Sequence, residues 1–82
     1  MSYDKRPPSI ETFKAVVSSG PIRLRFANDT RTMLLDAFTS NALVAVYEAL
    51  SSENRAKIDN LVKTKAGFMR FVDFCFKHVK AA

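Results

Sequence analysis

The sequence predicts an α+β fold that is mainly helical, with an N-terminal helix, a short β-hairpin and then three packed helices. Apolar residues recur at helical spacing near both ends of the chain, whereas residues 22–26 alternate strictly between apolar and basic side chains, the period of a half-buried strand. With 82 residues, 48% of them hydrophobic, the chain has room for one small domain. We expect this domain at residues 9–82, after a flexible arm at residues 1–8.

The first helix is predicted over Ile10–Ser19. Ser9 is a favourable N-cap residue, and Gly20 followed by Pro21 ends the helix because glycine suits the C-terminal turn and proline cannot continue it. Its apolar face consists of Ile10, Phe13, Val16 and Val17.

A β-hairpin is expected next, because residues 22–26 alternate and residues 27–30 form a polar turn cluster. A tight turn pairs Leu24 with Met33 and Ile22 with Leu35, both facing the core. A competing interpretation caps a helix at Asp29 and makes residues 30–38 helical. The hairpin is the favoured interpretation.

The central helix is predicted over Asn41–Leu50, with Ser40 as its N-cap. It is apolar nearly all round, which indicates burial on several sides or an oligomer contact. Leu43, Val46 and Leu50 are predicted to be buried, and a homodimer or higher oligomer is expected. Two helices follow, one over Glu53–Lys63 and a last one that begins after a break at Gly67 and runs to about Lys80.

The chain carries a formal net charge of +5 and has a pI of about 9.7. This balance favours an acidic partner, such as nucleic acid or an anionic protein face, although solubility alone would also explain it. The longest apolar run, Ala42 to Tyr47, is far too short to cross a bilayer, so no membrane role is expected. The lone Cys75 cannot form an intrachain disulfide, which favours a reducing cytoplasm.

No arrangement of residues points to catalysis, a metal or a cofactor, so we predict that the protein is not an enzyme. Cys75 and His78 lie three residues apart on the last helix, but two ligands do not complete a zinc site. The only glycines, Gly20 and Gly67, lie too far apart to form a phosphate-binding loop.

Nucleic-acid binding has two candidate surfaces. Arg23 and Arg25 share the outer face of the predicted hairpin, with Arg31 nearby, and strand arginines there either track phosphates or protect the sheet edge from aggregation. A helix-turn-helix with its turn at Ser51-Ser52 is the other candidate, since it would direct Arg55 outward for base contacts.

Phe74 is the aromatic residue of the last helix that the core explains least, because it borders the apolar arc between Arg70 and Lys77. An aromatic side chain flanked by cations is typical of an interface anchor. The alternative is that the first helix or the N-terminal arm covers Phe74. We include Arg70, Phe74 and Lys77 among the candidate binding residues, together with Arg23, Arg25 and Arg31.

Three runs in the middle of the chain carry a family resemblance. The runs are LDAFTS at residues 35–40, VYEAL at 46–50 and NRAK at 54–57. They resemble a group of small, largely uncharacterised accessory proteins of tailed bacteriophages, in which the same segments occur in this order. The resemblance covers about the middle third of the chain and carries no functional motif. It implies expression in a bacterial cytoplasm and contact with host machinery or nucleic acid.

From the residues and this resemblance, we expect a non-enzymatic binding module of phage type that acts by surface contact with a host or phage macromolecule. The alternative is a small basic protein that binds nucleic acid directly. These functions differ in the salt dependence of binding, because each neutralised phosphate releases counterions.

Overall fold

The computed structural model describes residues 5–27, 29 and 31–81, with side chains as far as His78. Its elements, in chain order, are β1 (Lys5–Arg6), α1 (Ile10–Ser19), β2 (Ile22–Arg25), β3 (Thr32–Leu35), α2 (Ala37–Ala49), α3 (Ser52–Leu61) and α4 (Lys65–Ala81). The described chain is therefore mainly helical with a small three-stranded sheet, which confirms the predicted fold class.

The predicted hairpin is confirmed with its register. Strands β2 and β3 pair antiparallel, with Ile22 opposite Leu35 and Leu24 opposite Met33. The competing helix over residues 30–38 is wrong, because residues 32–35 are a strand. The alternation favoured the strand because it buries Ile22 and Leu24 and places Arg23 and Arg25 on the opposite face, where Arg23 is half-buried and Arg25 exposed.

Part of the predicted arm lies in the sheet. Lys5–Arg6 forms β1, which pairs parallel to β2 with Lys5 opposite Arg23. A two-residue strand shows no hydrophobic periodicity, so the sequence pattern did not indicate it. Lys5 and Arg6 of the arm predicted over residues 1–8 therefore lie in the sheet, whereas residues 1–4 lie outside the described part of the chain.

Helix α2 begins four residues earlier than predicted. Asp36 caps it, accepting a hydrogen bond of 2.8 Å from the Thr39 amide, while Ser40 is fully buried inside the helix. The amide hydrogen bond lowers the pKa of the Asp36 carboxyl. This cap therefore stabilises the fold fully at pH values above the ordinary aspartate pKa. Its contribution is lost as the pH falls through the lowered pKa of Asp36.

The turn between α3 and α4 spans only residues 62–64, so Gly67 lies inside α4 instead of at the predicted break. The Gly67 amide donates to the Thr64 hydroxyl at 3.1 Å, which satisfies one of the free amides at the start of α4. A Cβ at Gly67 would overlap the backbone carbonyl oxygen of Leu61. Glycine is needed there because the end of α3 lies against the first turn of α4.

The core forms where α1, the sheet, α2 and α4 meet. The Phe68 ring lies at its centre, with centroids 5.8 Å from Phe13 and 5.7 Å from Phe26. Leu43 and Val46 are buried as predicted. The other apolar residues buried in the described part of the chain are Val16, Ile22, Leu24, Leu35, Tyr47, Val62, Phe71 and Cys75.

We expect Cys75 to resist alkylation in the folded protein. Burial raises the pKa of its thiol to about 12, so very little reactive thiolate exists at neutral pH. At pH 8 the native protein should react with iodoacetamide at least about 100-fold more slowly than the urea-unfolded chain. The chain has a single cysteine, so the rate reports on this site alone. Equal rates in the two states would contradict the buried placement of Cys75.

Candidate functional site

An apolar groove lies between α3 and α4 and has a volume of about 350 Å³. We call it the α3–α4 groove, and it is lined by Leu50, Asn54, Lys57, Ile58, Leu61, Arg70, Phe71 and Phe74. No residue of α3 is fully buried, and even its apolar side chains Ile58 and Leu61 are only half-buried. The apolar side of α3 is thus incompletely covered, which is typical of a surface that receives a partner.

Polar contacts hold α3 against the C-terminal end of α2. The Tyr47 hydroxyl donates to Asp59 Oδ1 at 2.9 Å, and burial is the main cause that raises the pKa of Tyr47, which keeps this donor protonated. Arg55 Nε donates to the Tyr47 carbonyl oxygen at 3.1 Å, and Arg55 Nη2 donates to that of Glu48 at 2.7 Å. These bonds fix the position of α3 without burying its apolar side.

The same contacts correct the helix-turn-helix interpretation. That interpretation required Arg55 to point outward for base contacts, but its guanidinium is bonded to α2 and lies 5.5 Å from the Tyr47 ring centroid. Arg55 completes the C-terminal end of α2 because the last carbonyls of a helix lack intrahelical donors. The side chain is therefore not directed outward as base reading requires.

Phe74 lies at the edge of the α3–α4 groove with 51% of its surface exposed. Its ring stacks on the His78 ring, at 6.1 Å between centroids and 20° between planes. The described part of α1 and of the arm does not bury it. Lys77 is also exposed, but its Nζ lies 3.0 Å from Asp73 Oδ2 and it does not line the groove.

Two cations stand at the rim of the groove. Lys57 comes from α3 and Arg70 from α4, and both side chains are exposed. Neither has a carboxylate within ion-pair distance among the residues that the structure describes. The groove therefore combines an apolar floor with a positively charged rim.

The three hairpin arginines have different surroundings. Arg23 is half-buried and donates from Nη1 to the Thr32 hydroxyl at 3.2 Å. Arg31 Nε lies 3.6 Å from Asp29 Oδ1. Arg25 lines a concavity of about 380 Å³ that we call the basic cavity, formed by Lys5, Arg6, Pro7, Pro8, Arg25, Phe26, Ala27 and Lys63. The predicted site residues thus divide between two surfaces, with Arg70 and Phe74 on one and Arg25 on the other.

Sequence reasoning did not single out Phe38, which is 76% exposed in the first turn of α2. Its ring stacks on Phe76 of α4, with 5.9 Å between centroids. The exposure of Phe38 could have been predicted from Asp36 as the N-cap. A helix that begins after Asp36 places Phe38 on a different face from the buried Leu43. Placing the cap at Ser40 removed that indication.

In the described part of the chain, no group of three or more His, Cys, Asp or Glu side chains is placed to hold a metal ion, and Cys75 is buried while His78 is exposed. Within the same ranges, no helix combines the length and hydrophobicity that crossing a bilayer requires. No protein-family model, curated protein or solved structure matches this chain.

Proposed function

We propose that this protein is a non-enzymatic binding module of phage type, acting in the bacterial cytoplasm on a host or phage protein. Its α3–α4 groove receives an amphipathic helix that carries acidic residues beside its apolar face. The observation that carries the proposal is the half-exposed Phe74 beside the incompletely covered apolar side of α3.

A helix is the occupant that fits this surface best. The groove runs between two helices and has an apolar floor from Ile58, Leu61 and Phe71, which suits the apolar anchors of an amphipathic helix. Phe74 supplies a large aromatic surface next to Arg70, a pairing enriched at binding hot spots.

Charge complementarity indicates acidic residues on the partner. Lys57 and Arg70 stand at the rim without a carboxylate partner among the described side chains, and the whole chain has a net charge of +5. Rim charges mainly raise the association rate and select the partner, whereas the apolar floor supplies the affinity. The lining between the two rim cations is mainly apolar, so the groove suits apolar anchors better than a nucleic-acid backbone.

We expect Phe74→Ala to weaken partner binding strongly while leaving the fold intact. A library of displayed helical peptides, selected on the wild-type protein, should enrich apolar anchors at helical spacing flanked by Asp and Glu. Phe74→Ala should weaken these peptides by about 30-fold, as truncation of a hot-spot residue does. Its melting temperature should change little, since half-exposed side chains contribute little to stability.

Met69→Ala is the matched control, because Met69 is 41% exposed on the same helix but does not line the groove. It should leave peptide binding unchanged. Equal loss in both variants, or selected peptides without acidic flanks, would contradict the proposal. Sedimentation of the wild type distinguishes self-association: a dimer that Phe74→Ala dissociates into 9.2 kDa monomers would assign the groove to a second copy of this chain.

A further inference from the structure

The basic cavity brings together cations that are far apart in the sequence. Lys5 and Arg6 reach it from β1, Arg25 from the end of β2, and Lys63 from the turn after α3. The pairing of β1 with β2 creates this juxtaposition, because it places Lys5 and Arg6 alongside the strand that carries Arg25.

A second depression of about 200 Å³ adjoins the basic cavity and shares Phe26 and Lys63 with it. It is lined also by Asp29, Thr64 and Lys65. The first turn of α4 begins at Lys65, so the positive end of that helix dipole adds to the charge. Because they share lining residues, the two depressions form one surface whose lining includes five cations, namely Lys5, Arg6, Arg25, Lys63 and Lys65.

The charges facing this surface are mainly positive. Lys5, Arg25, Lys63 and Lys65 make no ion pair with a carboxylate in the described ranges of the chain. Asp29 is the one acidic residue among the described lining of the two depressions, and it accepts a hydrogen bond of 3.0 Å from the Arg31 amide. That hydrogen bond is the first cause that lowers the pKa of the Asp29 carboxyl, and the Arg31 guanidinium beside it partly offsets its charge.

We propose that the two adjoining depressions bind consecutive phosphate groups of a nucleic-acid backbone. Cations distributed over two adjoining depressions match a polymer that carries successive charges, and arginine and lysine are the side chains that contact phosphates most often. The site differs from the hairpin surface that the sequence predicted, since only Arg25 of its three arginines lines the cavity. Base identity plays no part in this contact.

The test uses a double variant, Arg25→Gln with Lys63→Gln, and fluorescence anisotropy of labelled oligonucleotides of one length, single-stranded and duplex. The matched control is Arg70→Gln with Lys57→Gln, which removes the same residue types from the rim of the α3–α4 groove. Both variants lower the net charge from +5 to +3, because each removes two cations. A general effect of charge would therefore weaken binding equally in both.

We expect wild-type binding to weaken with salt, and the cavity variant to lower the salt slope by about two units, since each lost phosphate contact removes about one. At about 50 mM salt this corresponds to a loss of affinity on the order of 100-fold. The groove-rim control should retain wild-type binding, and Phe74→Ala should as well, so the result is independent of the function proposed for the groove. Comparison of the two oligonucleotides shows which backbone form the surface accepts.

Three results would overturn the proposal. One is no anisotropy change with wild-type protein at low salt, and another is equal loss in the cavity variant and the control. The third is displacement of the oligonucleotide by polyglutamate at equal charge concentration, which would assign the surface to an acidic polypeptide. Circular dichroism of the double variant must match the wild type; if it does not, Lys63→Gln alone is tested, and it should lower the slope by about one unit.

Discussion

Leu43→Ala is expected to destabilise the protein by about 2–5 kcal/mol, a large share of the roughly 5–15 kcal/mol that stabilises a typical domain. Leu43 is 0% exposed and packs in the core on α2. The cost has two parts, the lost burial of the side chain and the cavity that it leaves. The cavity persists because the close-packed residues around it relax only partially. Urea unfolding followed by circular dichroism measures the change directly.

Leu50→Ala is the matched control, because it deletes the same atoms from the residue that follows α2 as its C-cap. The sequence predicted Leu50 to be as buried as Leu43, but Leu50 is half-buried and lines the α3–α4 groove. Its truncation should therefore cost clearly less than that of Leu43. Equal urea midpoints for Leu43→Ala and the wild type would show that the core is misplaced, and equal losses for both variants would contradict the open groove.

Local signals were sufficient where cap and periodicity agreed. Helix α1 was predicted with its observed bounds because Ser9 and Gly20 mark its two ends, and Gly20 adopts a φ of 102° that favours glycine. The hairpin register followed from strict alternation, since a one-residue slip would bury Arg23 and expose Leu24. In both elements, the local preference and the tertiary structure require the same conformation.

The start of α2 and the role of Gly67 were not predicted, because each depends on a contact with another part of the chain. Asp36 and Ser40 are both good cap residues, and only the end of β3 shows that the helix begins at the first of them. Gly67 reads as a helix break, but its role depends on the approach of Leu61. Tertiary contact overrides propensity at these positions.

The candidate site was predicted only in part for the same reason. The helical wheel placed Phe74 at the border of the apolar arc, and that position is indeed half-exposed. The opposite wall of the groove belongs to α3. The position of α3 depends on hydrogen bonds from Arg55 to α2, which the spacing of apolar residues does not predict. Likewise, the basic cavity depends on β1, a strand too short to predict.

Gly67→Ala is expected to destabilise the protein by about 3 kcal/mol, although the same change inside an ordinary helix stabilises by roughly 0.5–1 kcal/mol. The new Cβ would overlap the Leu61 carbonyl oxygen, a backbone atom that cannot rotate away. The end of α3 must therefore move away from α4, which should also weaken peptide binding in the α3–α4 groove.

Gly67→Ala should lower the free energy of unfolding if α3 and α4 approach closely, and raise it if they do not. Ala66→Gly is the matched control. Ala66 is exposed in the same turn of α4, so its replacement should cost only about 1 kcal/mol of helix propensity and leave peptide binding unchanged. Urea midpoints of the two variants and the wild type give the comparison. A higher midpoint for Gly67→Ala than for the wild type would mean that α3 and α4 do not approach each other as closely as the structure shows. In that case the groove between them would have a different shape, because Leu61 supplies both the carbonyl that excludes a side chain at residue 67 and part of the apolar wall.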